Sequence, residues 1–193
     1  MKYSIILLAV GVLFITSCNN QKNTSDNADT TSIDSVAAAS TTSQTWIVDP
    51  KASSIVWKGT KPTGEHVGTI TIKEGSLSSE EGKIIAGNFI IDMTTIDETT
   101  NSEKPKAQDK LVTHLKSSDF FSVDSFPIST FAITKVEGIT ISGNLTIKNI
   151  TREIKFTADV KIDGAILNAA TIIDIDRTDF GINYKISLVA YKQ

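Results

Sequence analysis

The feature that most constrains this chain is a strict two-residue alternation of apolar and polar side chains that begins after Trp46. Residues 151–162 show it most clearly, with apolar side chains at every second position from Ile154 to Ile162 and Lys, Thr or Asp between them. This period is typical of a strand with one buried and one solvated face, whereas the apolar residues of an amphipathic helix recur every three to four positions. The chain is therefore predicted to fold mainly as antiparallel sheet.

The alternation recurs often enough to predict eight strands. The run 139–147 precedes 151–162 and is expected to form a hairpin with it through Lys148-Asn149-Ile150. The other predicted strands are 53–60, 67–73, 83–92, 128–136, 165–175 and 184–191. Turns that separate several of them are expected where glycine follows an acidic residue, at Glu74-Gly75, Glu81-Gly82, Glu137-Gly138 and Asp163-Gly164.

One stretch departs from the alternation. Residues 103–121 carry Lys, Gln and Leu in a pattern that suits a helix better than a strand. Eight antiparallel strands with a short helical connection between the middle strands favour a closed all-β barrel, because closure removes the strand edges that would pair with other chains. A barrel of this size is either just filled by its own side chains or just wide enough to enclose one small ligand.

Composition excludes several functions. The chain has 19 Lys and Arg against 22 Asp and Glu, a net charge of −3, so it lacks the basic surface with which proteins bind nucleic acid. One Cys and two His allow neither an intrachain disulfide nor a zinc cluster. A metal shared by His66 and His114 would need a third ligand that the sequence does not identify. His66, next to Gly64 and Gly68, is expected in a loop, and no metal is predicted.

The N-terminus has the pattern of a signal peptide over residues 1–17. A positive charge at Lys2 precedes an apolar run from Ile5 to Ile15, which is too short to span a bilayer before polar residues begin at Asn19. Ile15-Thr16-Ser17-Cys18 resembles the lipobox of bacterial lipoproteins. This resemblance implies that Cys18 is acylated, with palmitate or a similar fatty acid, and anchors the mature protein to a membrane.

Residues 18–45 are predicted to be a disordered polar tether between this anchor and a barrel domain at 46–193. They are almost entirely Ser, Thr, Asn, Asp, Gln and Ala, without a strand or helix period. Asp29-Thr30-Thr31 and Asp34-Ser35-Val36 resemble short bacterial O-glycosylation sequons, although such triplets also occur by chance. The residue directly after Cys18 is Asn19 and not an acidic residue, so the expected location is the cell envelope, at the outer membrane and facing the periplasm.

Three ordered segments carry a family resemblance. His114–Pro127, Gly143–Thr151 and Arg177–Ile182 resemble the signatures of the YceI-like family of periplasmic polyisoprenoid-binding proteins, and the opening Trp46–Ser53 also fits. The resemblance covers essentially all of 46–193. It implies a lipocalin-like barrel whose interior holds the apolar tail of a polyisoprenoid or an isoprenyl quinone, for storage, transport or stress protection.

An apolar tunnel suffices for such a ligand, since each buried methylene contributes about 0.8 kcal/mol. The residues expected to line it, from the resemblance and the alternation, are Trp57, Ile70, Ile72, Phe89, Ile91, Phe131, Ile133, Ile141, Leu145, Ile154, Phe156 and Phe180. His114 either contacts the lipid head group or fastens the helix to the barrel through a hydrogen bond.

Two other functions remain open from the sequence. The same alternating aromatic residues would also fill a packed barrel, which would make the protein an envelope-anchored interaction module without a ligand. A hydrolytic enzyme is disfavoured because no G-x-S-x-G elbow is present and only two His are available as a base. Asp174, Asp176 and Asp179 are predicted to lie at a solvated strand end and not in a calcium loop.

Overall fold

The computed structural model describes residues 8–10, 43–61, 64–101 and 103–184. Within these ranges the chain forms nine β-strands, one α-helix and one 3-10 helix. The elements are β1 (Leu8–Val10), β2 (Ser43–Ile47), β3 (Ser54–Lys61), β4 (Gly64–Glu80), β5 (Lys83–Glu98), α1 (Pro105–Lys116), β6 (Ile128–Glu137), β7 (Thr140–Ile147), β8 (Ile150–Asp163), β9 (Ile166–Thr171) and the 3-10 helix (Arg177–Phe180).

The strands form an antiparallel barrel that is nearly closed. Hydrogen bonding runs through eight strands in the order β1-β3-β4-β5-β6-β7-β8-β9, and β2 pairs separately with the far half of β4. The two ends of the path, β1 and β9, lie side by side. The predicted all-β class, with eight antiparallel strands in a barrel and a helix between the middle strands, is confirmed.

Tight turns connect most neighbouring strands. The predicted β7–β8 hairpin turns through Lys148 and Asn149, which have φ angles of 52° and 61°. A two-residue turn in which both residues have positive φ has a backbone twist that matches the right-handed twist of the flanking strands. Gly82, Gly138 and Gly164 also have positive φ at three of the predicted turns.

The turn predicted at Glu74-Gly75 is wrong, because β4 runs through it. Gly75 instead allows close packing: a Cβ there would lie 2.8 Å from the Phe89 ring and 2.9 Å from Val48. The register between β4 and β5 shifts between Ile72 and Glu74. The glycine therefore marks an irregularity in a continuous strand, as isolated strand glycines often do.

Several predictions fall on residues that the structure does not describe. They concern Cys18 with its acylation, most of the signal peptide and of the polar tether, both sequons, and the strand predicted at 184–191 beyond Tyr184. β2 begins at Ser43 and was not predicted. The strand predicted at 165–175 stops pairing at Thr171, although burial still alternates through Ile173 and Ile175.

Helix α1 lies between β5 and β6 in the chain and packs against β5. It begins with Pro105, which is favourable at the first helical position because its missing N–H would be unpaired there. It buries Leu115, while Leu111 is partly buried against the main core. In the described residues no helix is long and apolar enough to cross a membrane.

Candidate functional site

An apolar cavity of about 180 Å³ lies inside the barrel. Every strand from β3 to β9 contributes side chains to its wall, together with residues beside β2, after α1 and after β9. The lining residues are Val48, Ser53, Ile55, Ile70, Ile72, Leu77, Phe89, Ile91, Met93, Phe121, Ser129, Phe131, Ile133, Ile141, Leu145, Ile147, Ile154, Phe156, Ala158, Val160, Ala169, Ala170, Thr171, Ile173 and Ile175. We call this space the barrel cavity.

Three aromatic rings form one section of its wall. The ring centroids of Phe89 and Phe131 are 6.2 Å apart, and those of Phe131 and Phe156 are 5.6 Å apart. Phe131 lies against the backbone of Gly143, where a Cβ would come within 2.4 Å of the ring. Ala158, Ala169 and Ala170 line the same cavity with small side chains. Large rings held against the sheet and small residues elsewhere leave the interior incompletely filled.

One polar group of the barrel cavity stands out. Ser129, at the start of β6, is 3% exposed, and its Oγ is buried without a hydrogen-bond partner among the described residues. The lining hydroxyl of Thr171 differs, because it donates to the carbonyl of Thr157 at 2.7 Å. A buried hydroxyl without a partner is unusual in a native protein and points to a missing partner such as a ligand or water.

A second cavity of about 300 Å³ lies beneath α1, between the helix and strands β3 and β4. Its lining residues are Trp57, Gly59, Thr60, His66, Ile70, Ile96, Leu111, His114, Leu115, Phe120, Phe121, Arg177 and Tyr184. Ile70 and Phe121 line both cavities, so this pair lies between them. We call the second space the helix cavity.

The helix cavity contains a buried positive charge. Arg177 is 6% exposed. Its guanidinium donates to the carbonyl oxygens of Ile182 and Tyr184, the latter at 3.0 Å, and lies 5.5 Å above the centre of the Phe120 ring. These carbonyl oxygens and the ring hold the guanidinium in the wall of the helix cavity.

His114 lies in the last turn of α1, beside this charge. Its ring packs against Phe120, with 5.9 Å between centroids, and against Tyr184, with 4.3 Å between centroids. Its Nε2 is buried without a hydrogen-bond partner among the residues the structure describes. The ring contacts therefore hold His114 in place, and no bond at Nε2 fastens the helix to the barrel here.

His66, another lining residue of the helix cavity, pairs with a buried carboxylate. His66 Nδ1 lies 3.3 Å from Oε1 of Glu98, whose side chain is fully buried. Glu98 also accepts from the backbone N–H and the side-chain amide of Asn101, both at 3.1 Å. The loop expected for His66 is wrong, because the residue lies in β4 opposite Gly59 of β3. Its neighbouring glycines belong to the strand as well.

The predicted lining residues fall into three groups. Ten of the twelve line the barrel cavity: Ile70, Ile72, Phe89, Ile91, Phe131, Ile133, Ile141, Leu145, Ile154 and Phe156. Trp57 lines the helix cavity instead, and its Nε1 donates to the carbonyl of Asp97 at 3.0 Å. Phe180 lines neither, because the 3-10 helix packs it against Leu145, Ile173 and Ile175. Their binding of a lipid stays a prediction.

Sequence reasoning missed Phe121, Met93 and Ser129. Phe121 follows the helix and precedes the next strand, so no alternation marks it. Ser129 is two residues from Phe131, and Met93 is two residues from Ile91, so alternation places both on the inward face. Only for Phe121 did this pattern give no signal.

No metal site was found in the described part of the chain, where no three His, Cys, Asp or Glu side chains come together suitably. Asp174, Asp176 and Asp179 are all exposed. Asp176 caps the 3-10 helix: its Oδ1 accepts from the hydroxyl of Thr178 at 2.7 Å and from its backbone N–H at 2.9 Å.

This fold and its apolar interior define a lipocalin-like β-barrel with the architecture of a binding protein. The YceI-like domain model matches residues 46–192, and the chain belongs to the YceI-like family.

The chain is 32% identical over 115 residues to a UPF0312 protein of Staphylococcus aureus (strain MSSA476), a match that covers 56% of this chain and 66% of that protein. It is 33% identical over 97 residues to a UPF0312 protein of Yersinia enterocolitica serotype O:8, covering 47% and 45%. The matches thus span less than two thirds of these relatives.

Proposed function

We propose that this protein binds a long apolar lipid, a polyisoprenoid or an isoprenyl quinone, inside its barrel. The observation that carries the proposal is the barrel cavity, an unfilled interior with an almost wholly apolar wall. Burying a prenyl tail there removes apolar surface from water on both sides and leaves no polar group of the tail unsatisfied. Storage, transport or protection of such a lipid requires no catalytic group.

The alternative functions have less support. An interaction module with a side-chain-filled barrel would lack the space that Phe89, Phe131 and Phe156 border here. The YceI-like family is not a known enzyme family. A hydrolase would also need a nucleophile beside a base, and the hydroxyl of Ser129 has no base bonded to it among the described residues.

The test is saturable binding of a fluorescent prenyl probe to the full-length protein. Ala169 lines the barrel cavity, so Ala169→Leu adds volume there and is expected to weaken probe binding about tenfold or more. Ala107 is exposed on α1 and provides the matched control, since Ala107→Leu adds the same atoms outside the cavity. Absence of saturable binding by the unaltered protein, or equal affinities for both variants, would contradict the proposal.

We also propose that the protein is held in the cell envelope by acylated Cys18, with its domain facing the periplasm at the outer membrane. The support is Ile15-Thr16-Ser17-Cys18 at the end of the apolar run. Several acyl chains together anchor a protein stably, whereas one binds only marginally.

For the anchor we predict that Cys18→Ser abolishes incorporation of labelled fatty acid and moves the protein from the membrane fraction to the soluble fraction. The reason is that serine offers no thiol for thioether formation. A Ser17→Ala variant, which keeps the cysteine and a small residue before it, should remain labelled. Membrane retention of Cys18→Ser together with an unlabelled wild type would exclude the anchor.

A further inference from the structure

Helix α1 covers a cavity and not a fully packed core. Leu111 and Leu115, its two side chains that contact the main core, both line the helix cavity and both lie in the second half of the helix. The first half, residues 105–110, is exposed apart from the half-buried Gln108. An element with few buried apolar contacts opens locally at a low cost in free energy. The N-terminal half of α1 is therefore the part that detaches most easily.

One side chain fastens this half of the helix to the barrel. Gln108 Nε2 donates to the carbonyl oxygen of Glu98 at 2.5 Å and to Oδ1 of Asp97 at 3.2 Å, both at the end of β5. Within the described ranges no other side chain of α1 hydrogen-bonds to a strand. The N-cap residue, Lys104, forms no side-chain capping bond, and the first turn has no acidic residue to favour the helix dipole. Gln108 therefore acts as a latch.

The C-terminal end of α1 is held more firmly. The backbone N–H of Phe121 donates to the carbonyl of Leu115 at 3.1 Å, and that of Val123 donates to the carbonyl of Lys116 at 2.9 Å. Phe121 and Val123 are themselves buried in the main core. A helix that is fixed at one end and latched by one side chain at the other can swing about its fixed end without unfolding.

We propose that α1 is a lid that opens at its N-terminal end and admits the ligand of the barrel through the helix cavity. This inference rests on the proposed lipid-binding function and adds the route by which the ligand enters. Gly59, Thr60 and His66 line the helix cavity and are partly exposed, so this cavity reaches the surface. Ile70 and Phe121 line both cavities and form the inner end of the route.

Strand β2 provides control positions far from this lid. Ser43, its first residue, pairs with Glu80 at the end of β4, whereas His66 lies near the beginning of β4. At about 3.3 Å per residue, the strand from His66 to Glu80 spans roughly 45 Å. Changes at exposed positions of β2 therefore leave α1 and the helix cavity unaltered.

Gln108→Glu tests the latch, because it keeps the size of the side chain but replaces the donating amide by a carboxylate that faces two acceptor oxygens. Loss of a hydrogen bond shifts an equilibrium by roughly two- to tenfold. In stopped-flow mixing of the full-length protein with the fluorescent prenyl probe, we expect association and dissociation both to become at least threefold faster. The dissociation constant should stay within twofold, since a lid alters the barrier and not the bound state. Gln44→Glu, the same change on exposed β2, should leave both rates unchanged.

Thr60→Phe tests the route itself. It adds a ring to the wall of the helix cavity near the surface and should slow probe association at least threefold. Thr45→Phe adds the same atoms at an exposed position of β2 and should leave the association rate unchanged.

Tryptophan quenching follows the lid without any ligand. The chain has two tryptophans. Trp57 lines the helix cavity, whereas Trp46 is 1% exposed and bonded to Ser79. Acrylamide should therefore quench the emission of Gln108→Glu more strongly than that of the wild type. Adding Trp57→Phe to both proteins should remove the difference.

The outcomes separate this inference from the function on which it rests. If the probe does not bind the unaltered protein, lipid binding itself is contradicted, and quenching alone decides whether α1 opens. Probe binding with the same rates and the same quenching in Gln108→Glu would leave lipid binding intact and overturn the lid. Faster dissociation without faster association would also overturn it, because the latch would then only support the bound state. Unchanged association in Thr60→Phe would overturn the route through the helix cavity.

Discussion

At the scale of single residues, two buried serines illustrate how hydrogen-bonding state determines the effect of a mutation. Ser79 is 1% exposed, and its Oγ accepts from Nε1 of the buried Trp46 at 2.8 Å. Ser129 is equally buried but its Oγ has no partner among the described residues. The two side chains are chemically identical, so only their surroundings distinguish them.

We predict opposite effects of alanine at these positions in the lipid-free protein. Ser79→Ala leaves the Trp46 N–H buried without an acceptor and should lower the free energy of unfolding by about 1–3 kcal/mol. Ser129→Ala removes an unsatisfied hydroxyl and should raise that free energy by up to about 1 kcal/mol. Denaturant unfolding midpoints measure both changes in the free energy of unfolding. Destabilisation by Ser129→Ala would show that the hydroxyl is bonded after all, for instance to water in the cavity.

At the scale of elements, the pairing of β6 with β7 depends on a glycine. Ile133 pairs with Gly143, and the neighbouring Phe131 ring lies over the glycine. A Cβ at Gly143 would meet that ring at 2.4 Å and the carbonyl oxygen of Ala132 at 2.6 Å. Neither a ring wedged between Phe89 and Phe156 nor a strand backbone can move easily.

Gly143→Ala is accordingly predicted to destabilise the protein by about 1–3 kcal/mol, the usual cost of overpacking. Gly59→Ala, on β3, serves as the control, because its Cβ would find only the Trp57 ring at 3.9 Å. That change should be neutral or slightly stabilising, since alanine loses less conformational entropy than glycine in a strand. The midpoints of thermal unfolding of the two variants test this prediction. Equal midpoints would contradict it.

The 3-10 helix carries a pH-dependent cap. Hydrogen bonds from the Thr178 hydroxyl and then from its backbone N–H lower the pKa of Asp176 below its ordinary value of 3.8. A carboxyl with a lowered pKa in the folded state stabilises that state above the unfolded pKa, and this contribution is lost as the pH falls through the folded value.

Asp176→Asn should therefore flatten the acid limb of the stability curve. Asparagine retains a capping oxygen but has no titrating proton, so the variant should lose less stability than wild type as the pH falls below about 4. Denaturant unfolding at pH 7 and at pH 3 measures the difference. Parallel losses in the two proteins would show that the Asp176 cap does not contribute to acid sensitivity.

At the scale of the whole molecule, the interior contains two kinds of apolar position. Leu167 is completely buried in the packed core and lines neither cavity. Phe156 lines the barrel cavity, so part of its ring borders empty space. Truncation at the two positions should therefore separate stability from binding.

We predict that Leu167→Ala costs about 2–5 kcal/mol of stability and leaves prenyl-probe affinity unchanged once the protein is folded. Phe156→Ala should cost less than the roughly 3–5 kcal/mol of a packed phenylalanine and should weaken probe binding severalfold. Denaturant midpoints and probe titrations give both quantities. Full destabilisation by Phe156→Ala without loss of affinity would mean that the barrel is a closed scaffold.

The sequence by itself determined most of the strands and the all-β class of the barrel. Alternation depends on one local fact, that successive side chains of a strand point to opposite faces, so it identified Ile72, Phe89, Phe131 and Phe156 as inward-facing. The hairpin through Lys148 and Asn149 was predictable for the same local reason. The ordered signatures indicated the family without any knowledge of packing.

The tertiary structure alone decided that the barrel holds a cavity and that a second cavity adjoins it. Alternation states which face a side chain occupies, but the volume left inside depends on how rings from several strands pack together. Phe121 becomes a wall between the cavities because α1 and its following turn place it there. His66 and Glu98 meet, although they are 32 residues apart in sequence, because β4 and β5 are brought together by the fold. Such contacts depend on distances between elements, which no local pattern encodes.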